Sequence, residues 1–158
     1  MAIHEVETFF RERGLPHQIL HLAQSSATVP LAAEALGVEP ARIAKSLALK
    51  QRDGVAVLVV CGTARIDNRR YKDTFGCKAV MLSPEETLAE TGHPVGGVCP
   101  FGLPDGVAVY LDRSLQRFAT VYPAAGSGNT AVEFAPEELA RATGATWVEV
   151  TQTGQTVG

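Results

Sequence analysis

The sequence predicts a single α/β domain of the α+β type: one mixed β-sheet, curled or closed into a barrel, with helices packed outside it. Three observations carry this. Stretches patterned for strands alternate with stretches patterned for helices, yet several neighbouring strands are joined too tightly for a parallel crossover. No GxGxxG follows the first strand and no GxxxxGK followed by Ser or Thr occurs, which argues against a dinucleotide-binding or P-loop fold. The chain has 158 residues, 46% of them hydrophobic and 20% charged, enough for one domain with a sizeable core. The domain is expected to occupy residues 1–158, with its core at about 3–150 and no repeat or linker.

The elements follow in order. Ile3, Val6, Phe9 and Phe10 recur at helical spacing, and Gly14 with Pro16 ends that helix. Residues 18–22 alternate weakly, as a short strand would. Thr28 caps a helix that runs to Leu36 and stops at Gly37. Pro40 opens one more helical turn. Residues 45–50 form a strand, Asp53-Gly54 a hairpin turn, and residues 55–60 a continuous apolar strand covered on both faces. Asp67 caps a helix that turns Tyr71 and Phe75 inward. A short strand covers 78–82, and Ser83-Pro84-Glu85-Glu86 starts a helix that ends at Gly92. Strands are expected at 107–111, 118–122, 131–134 and 146–150, with a helix opened by Pro136 before the last of them. The tail from Thr151 is expected to fray.

Composition narrows the function. Lys and Arg number 14 against 17 Asp and Glu, a formal charge of −3, which disfavours a dedicated duplex-binding protein. No run of 18 apolar residues and no signal-peptide pattern is present, so a cytoplasmic protein without a membrane partner is expected. Cys61, Cys77 and Cys99 are too far apart for a CxxC, and His4, His17, His21 and His93 make no ligand pair. No metal and no cofactor is expected.

Three stretches invite chemistry. On a strand, residues 45, 47 and 49 share a face. Leu47 and Leu49 belong to a core, so Lys45 should point inward or into a cleft at the strand's mouth. Residues 91–102 hold four glycines and two prolines but only one ionisable side chain of ordinary polarity, His93. Gly96-Gly97 can turn two backbone N–H groups towards one point, and Pro94 and Pro100 stiffen the frame. Such a loop suits a small ligand bound by backbone hydrogen bonds, although glycine and proline also punctuate ordinary connections. Arg65, Arg69, Arg70 and Lys72 form the chain's one basic cluster, either a nucleic-acid footprint or a solvated helix face.

Taken together, Ile43-Ala44-Lys45-Ser46-Leu47, Gly96-Gly97-Val98-Cys99-Pro100, Phe118-Ala119-Thr120-Val121-Tyr122 and Gly126-Ser127-Gly128-Asn129-Thr130-Ala131 resemble the YbaK/ProX family of aminoacyl-tRNA editing domains, a family also inserted in bacterial prolyl-tRNA synthetases. The resemblance covers roughly residues 3–150. It implies a curled mixed sheet with outer helices and a free-standing deacylase that hydrolyses tRNA, usually tRNA(Pro), wrongly charged with a small amino acid. tRNA is then the partner, with prolyl-tRNA synthetase as a second.

The resemblance also assigns roles. Lys45 supplies a cation, and Gly96 and Gly97 supply oxyanion donors. Ser26, Thr28, Val98, Cys99, Pro100, Asn129 and Thr130 are expected to contact the substrate, and Arg65, Arg69, Arg70 and Lys72, by their local density of charge, to face tRNA. In cysteine-specific members an aromatic stands about where Thr28 is, and an aspartate about where Ala131 is. Both departures argue against cysteine and leave alanine, serine or threonine. No Ser-His-Asp or Cys-His set is evident, so water, or the thiol of a cysteine substrate, would attack. Two alternatives remain: a non-catalytic tRNA- or synthetase-binding module, and a small-molecule hydrolase or amino-acid sensor.

Overall fold

The helical spacing of Ile3, Val6, Phe9 and Phe10 becomes α1 (Ala2–Glu12), with Val6 and Phe10 buried, in a computed structural model that describes residues 2–152. After a two-residue strand β1 (Leu20–His21), the Thr28 hydroxyl accepts the Leu31 N–H at 3.3 Å and starts α2 (Val29–Leu36). Gly37, at φ 70°, closes it. A 3-10 turn at Pro40–Arg42 leads into β2 (Ile43–Gln51), which pairs antiparallel with β3 (Gly54–Cys61). In that register Lys45 faces Val60 and Ser46 faces Val59.

Helix α3 (Asn68–Phe75) is capped by the Asp67 carboxylate, which accepts the Arg69 and Arg70 N–H groups at 3.1 Å each. Strand β4 (Val80–Met81) pairs with the far end of β2, and α4 (Pro84–Thr91) starts at a reciprocal Ser83–Glu86 capping box. Strand β5 (Ala108–Asp112) runs parallel to β3, and β6 (Tyr122–Pro123) parallel to the start of β2. Strand β7 (Thr130–Ala131) pairs with β1, away from the main sheet. Helix α5 (Pro136–Thr143) then returns the chain to β8 (Thr146–Val148), parallel to β5.

The main sheet therefore reads β4-β2-β3-β5-β8, with β6 on the same edge of β2 as β4. Both its faces are covered, as the apolar run at 55–60 requires. Val57 and Val59 join Phe10, Phe101, Leu111, Phe134 and Leu139 in one core. Leu49, Leu58, Val60 and Tyr71 form a second core on the other side. A third, small cluster of Ala32, Ala33 and Ile43 joins α2 to the start of β2.

Three expectations need correction. The sheet is mixed with helices outside, but it is open: among the described residues nothing pairs β8 with the β4/β6 edge. Those two edge strands are only two residues long, too short to carry the stagger that closure needs. The strand expected at 118–122 survives only at its end: Phe118, Ala119 and Thr120 are not extended into the sheet, and Tyr122 opens β6. The Asp112 carboxylate accepts the Ser114 N–H at 3.0 Å and starts a 3-10 turn, Arg113–Arg117, that drives Leu115 into the core. Only Val121 bridges to Phe134, and the pairing expected at 131–134 shrinks accordingly. Finally, Thr151 is not frayed. It bridges Ile66, and its hydroxyl donates to the buried Asp112 carboxylate at 2.8 Å, which also accepts the Val150 N–H at 2.8 Å. The rest of the expected frayed tail, residues 153–158, lies outside the described residues.

Candidate active site

Small residues at alternate positions of β2 make the floor of a cleft of about 470 Å³. Ala44, Ser46 and Ala48 line it, whereas Leu47 and Leu49 belong to the core on the other side of the sheet. One wall is the Ser26-Ala27-Thr28 segment with Ala32 of α2. Met81, Leu82 and α4's Pro84 and Thr87 make another wall. Val95, Gly96 and Val98 close a third side, and Tyr122, Ala124, Thr130 and Ala131 complete the lining. The cleft thus lies where the two glycine-rich turns meet the start of β2.

Lys45 also contributes to the lining and is half-buried, although by strand alternation it belongs with Leu47 and Leu49 rather than with Ala44, Ser46 and Ala48. Its Nζ donates to the Ala64 carbonyl at 3.4 Å. Burial pushes its pKa below the ordinary lysine value. The Cys61 thiol works in the opposite direction, and Arg65 adds a smaller push downward. A lysine held by one neutral carbonyl, with another cation nearby, favours an incoming anion or polarised oxygen.

The glycine-rich loop is built differently from the expectation. Gly96 takes φ 92°, and a Cβ there would lie 2.9 Å from the Ala27 Cβ, so it needs glycine on both counts. Gly97 does not line the cleft. Its N–H donates to the Pro94 carbonyl at 2.9 Å, closing the turn, and its own carbonyl accepts the Gly126 N–H at 3.1 Å. A Cβ on Gly97 would sit 2.6 Å from the Ser127 nitrogen. Gly97 is glycine so that the two turns can touch, and its N–H is not free to serve an oxyanion. Among the described residues, no acceptor takes the N–H of Gly96 or Val98, both of which line the cleft.

The other expected contacts divide. Ser26, Thr28, Val98 and Thr130 line the cleft. Cys99 and Pro100 do not; both are buried beneath the loop. The Cys99 Sγ lies 3.5 Å from Nε2 of His93, a base that spacing alone did not reveal. That nitrogen donates to the Phe101 carbonyl at 2.7 Å, so it carries the proton and cannot take one from the thiol. Burial pushes the Cys99 pKa up to about 12 and the His93 pKa down, so both groups are neutral. Cys99 is core. Cys99→Ala is expected to leave activity unchanged, and native protein at pH 8 should be alkylated at the half-buried Cys77 before Cys99. Peptide mapping after a timed iodoacetamide pulse checks this.

Asn129 is also outside the cleft. Its amide donates to the Leu22 carbonyl at 3.4 Å and accepts from the Ser127 hydroxyl at 2.8 Å, which shapes the turn. In the basic cluster, Arg65, Arg69 and Lys72 are exposed. Arg70 is not available in the same way. Its guanidinium pairs with Glu149 at 3.6 Å and donates to the Thr151 carbonyl at 3.3 Å, tying α3 to the C-terminal segment.

Sequence reasoning missed Ser46. Its signal was the alternation of Ala44, Ser46 and Ala48: three small side chains on one face of a strand mark a place where something else approaches. Among the described residues no three metal-ligating side chains gather, and no helix is long and apolar enough to cross a membrane.

Residues 23–142 match the family described as the aminoacyl-tRNA editing domain. The chain belongs to that family. The editing domain shares 31% identity over 121 residues with EbsC of Enterococcus faecalis, which bears the name "Putative Cys-tRNA(Pro)/Cys-tRNA(Cys) deacylase"; the match covers 75% of this chain and 74% of EbsC. It shares 47% identity over 152 residues with YwhH of Bacillus subtilis, 95% of this chain and 97% of that one. It also superposes at TM-score 0.87 and 29% identity on a solved structure described as "a putative trans-editing enzyme for prolyl tRNA synthetase", covering 96% of this chain and 97% of the other. Mixed α/β architecture and family membership are thereby established.

Proposed function

We propose that this editing domain is a free-standing deacylase that hydrolyses the ester of a small amino acid wrongly attached to tRNA, with tRNA(Pro) as the first carrier to test. The observation that carries this reading is one cleft lined by a half-buried lysine and by two residues, Gly96 and Val98, whose N–H groups have no acceptor among the described residues. Similarity to deacylase and trans-editing relatives supports the reaction class.

The chemistry follows from the groups. Water adds to the ester carbonyl carbon, and the carbonyl oxygen becomes an oxyanion. The Gly96 and Val98 N–H groups are the donors for that charge; one such donor is typically worth about 3 kcal/mol. Lys45 supplies the cation, on the ester or on the terminal phosphate. Collapse of the intermediate expels the ribose oxygen, which takes up a proton and leaves tRNA and the free amino acid. Cys99 takes no part. The small walls, Ala27, Ala32, Ala44, Ala48 and Ala131, suit a small side chain.

Incubating purified protein with mischarged tRNA(Pro) and tRNA(Ala), each bearing alanine, cysteine, serine or threonine, tests the reading; release of no amino acid above the uncatalysed rate overturns it. The exposed cations are assigned to tRNA phosphates. Arg65→Ala with Arg69→Ala should raise KM and reduce the salt slope of binding by about 2, one per phosphate contact, without reordering the amino acids. Arg70→Ala is expected to lower stability as well, and a thermal melt beside the salt series separates the two effects. Salt dependence identical to the parent's would place the footprint elsewhere.

A further inference from the structure

The hydroxyls around the cleft are unequally used. Thr28 caps α2, Thr130 bonds Ser127 three ways, and the Thr87 hydroxyl donates to the Ser83 carbonyl at 2.8 Å. Two serines differ. The hydroxyls of Ser26, whose residue is 7% exposed, and of Ser46 are buried and have no hydrogen-bond partner among the described residues. Both residues line the cleft, one on its wall and one on its floor. An unsatisfied buried hydroxyl carries a desolvation penalty, and native structures rarely keep one without a use. Each serine hydroxyl reaches three staggered positions by rotation about a single bond, so each can be turned to a group seated in the cleft.

We infer that Ser26 and Ser46 read a hydroxyl group on the substrate, so that the cleft selects a β-hydroxy amino acid, serine or threonine, over alanine and cysteine. This rests on the deacylase reading above and deepens it. A hydroxyl both donates and accepts, so it can satisfy one serine as donor and the other as acceptor. A methyl group leaves both serines unpaired, and a thiol is a weak partner for either. Sites built to bond a hydroxyl discriminate strongly against analogues that lack it. Among the serine and threonine hydroxyls of the lining, these two alone have no bond to the protein among the described residues. A rival role for the same serines is to hold the α-ammonium group that every amino acid carries.

The test compares deacylation of tRNA charged with serine, threonine, alanine and cysteine by the parent protein, Ser26→Ala and Ser46→Ala. The parent is expected to hydrolyse the seryl and threonyl esters at least about 10-fold faster than the alanyl ester in kcat/KM. Each variant should lose most of that preference, its rates on the seryl and threonyl esters falling several-fold more than its rate on the alanyl ester. Faster hydrolysis of alanyl or cysteinyl tRNA by the parent overturns the inference but leaves the deacylase reading intact. A uniform fall across all four substrates in the variants assigns the serines to the α-ammonium group and also overturns it. No hydrolysis of any ester removes the reading beneath it. Melting curves of the two variants verify folding, and Ser→Cys at either position serves where the alanine variant melts early.

Discussion

Lys45→Ala is expected to lower deacylation by between about 10- and 100-fold, the rate equivalent of the roughly 1.5–3 kcal/mol lost with a charged hydrogen-bonding group. The residue lines the cleft half-buried, and among the described residues its ammonium is held only by the Ala64 carbonyl at 3.4 Å, so its removal breaks no ion pair there. Stability should change little, and Lys45→Met, which keeps the apolar stem, should change it less. If the lysine acts as an ammonium, its depressed pKa has a visible consequence. The charged form is lost as pH rises through a pKa below the ordinary lysine value, so the rate should fall on the alkaline side earlier than a solvated lysine would dictate. A base role gives the opposite sign, with the rate rising through the same pKa. A pH–rate profile corrected for spontaneous ester hydrolysis distinguishes the two. Unchanged kinetics in folded Lys45→Ala refutes either role.

Gly97→Ala is expected to act first on stability. The new Cβ would lie 2.6 Å from the Ser127 nitrogen and 2.7 Å from the Gly126 carbonyl carbon. These are backbone atoms and cannot rotate away, so the two turns must part and strain the Gly126 N–H bond to the Gly97 carbonyl. Overpacking of this kind typically costs 1–3 kcal/mol, which for a domain of this size lowers Tm by roughly 2–12 °C. Gly96→Ala is the useful contrast. It too is strained, at φ 92°, but it faces the cleft, and its nearest obstacle is the Ala27 side chain, so turnover should suffer beside stability. Melting temperature and turnover measured on both variants separate the roles. If Gly97→Ala melts with the parent but turns over slowly, the loop contact is catalytic and the packing account is wrong.

Sequence alone determined what short-range chemistry determines. Thr28, Asp67 and Ser83 cap helices because a side-chain oxygen meets an N–H two or three residues on, and Gly37 ends a helix because it tolerates a left-handed φ. The apolar run at 55–60 marked a strand buried on both faces, since no polar alternation leaves a side for water. Lys45 was legible as the odd cation on an apolar strand, and the family resemblance was legible in the four motifs. Tertiary structure decided everything that depends on contact between distant segments. It paired β7 with β1, about 110 residues away, and left the sheet open because its edge strands are too short to close. It set Gly97 against Ser127, and so turned a presumed oxyanion donor into a packing glycine. It placed a protonated His93 nitrogen against Cys99 and buried both, removing the thiol from the chemistry. It put the cleft on the face of Ala44, Ser46 and Ala48, where the absence of bulk, rather than any conspicuous side chain, makes the room. A strand's period of two says which residues share a face, but only packing against the rest of the chain says which face is filled and which is left open.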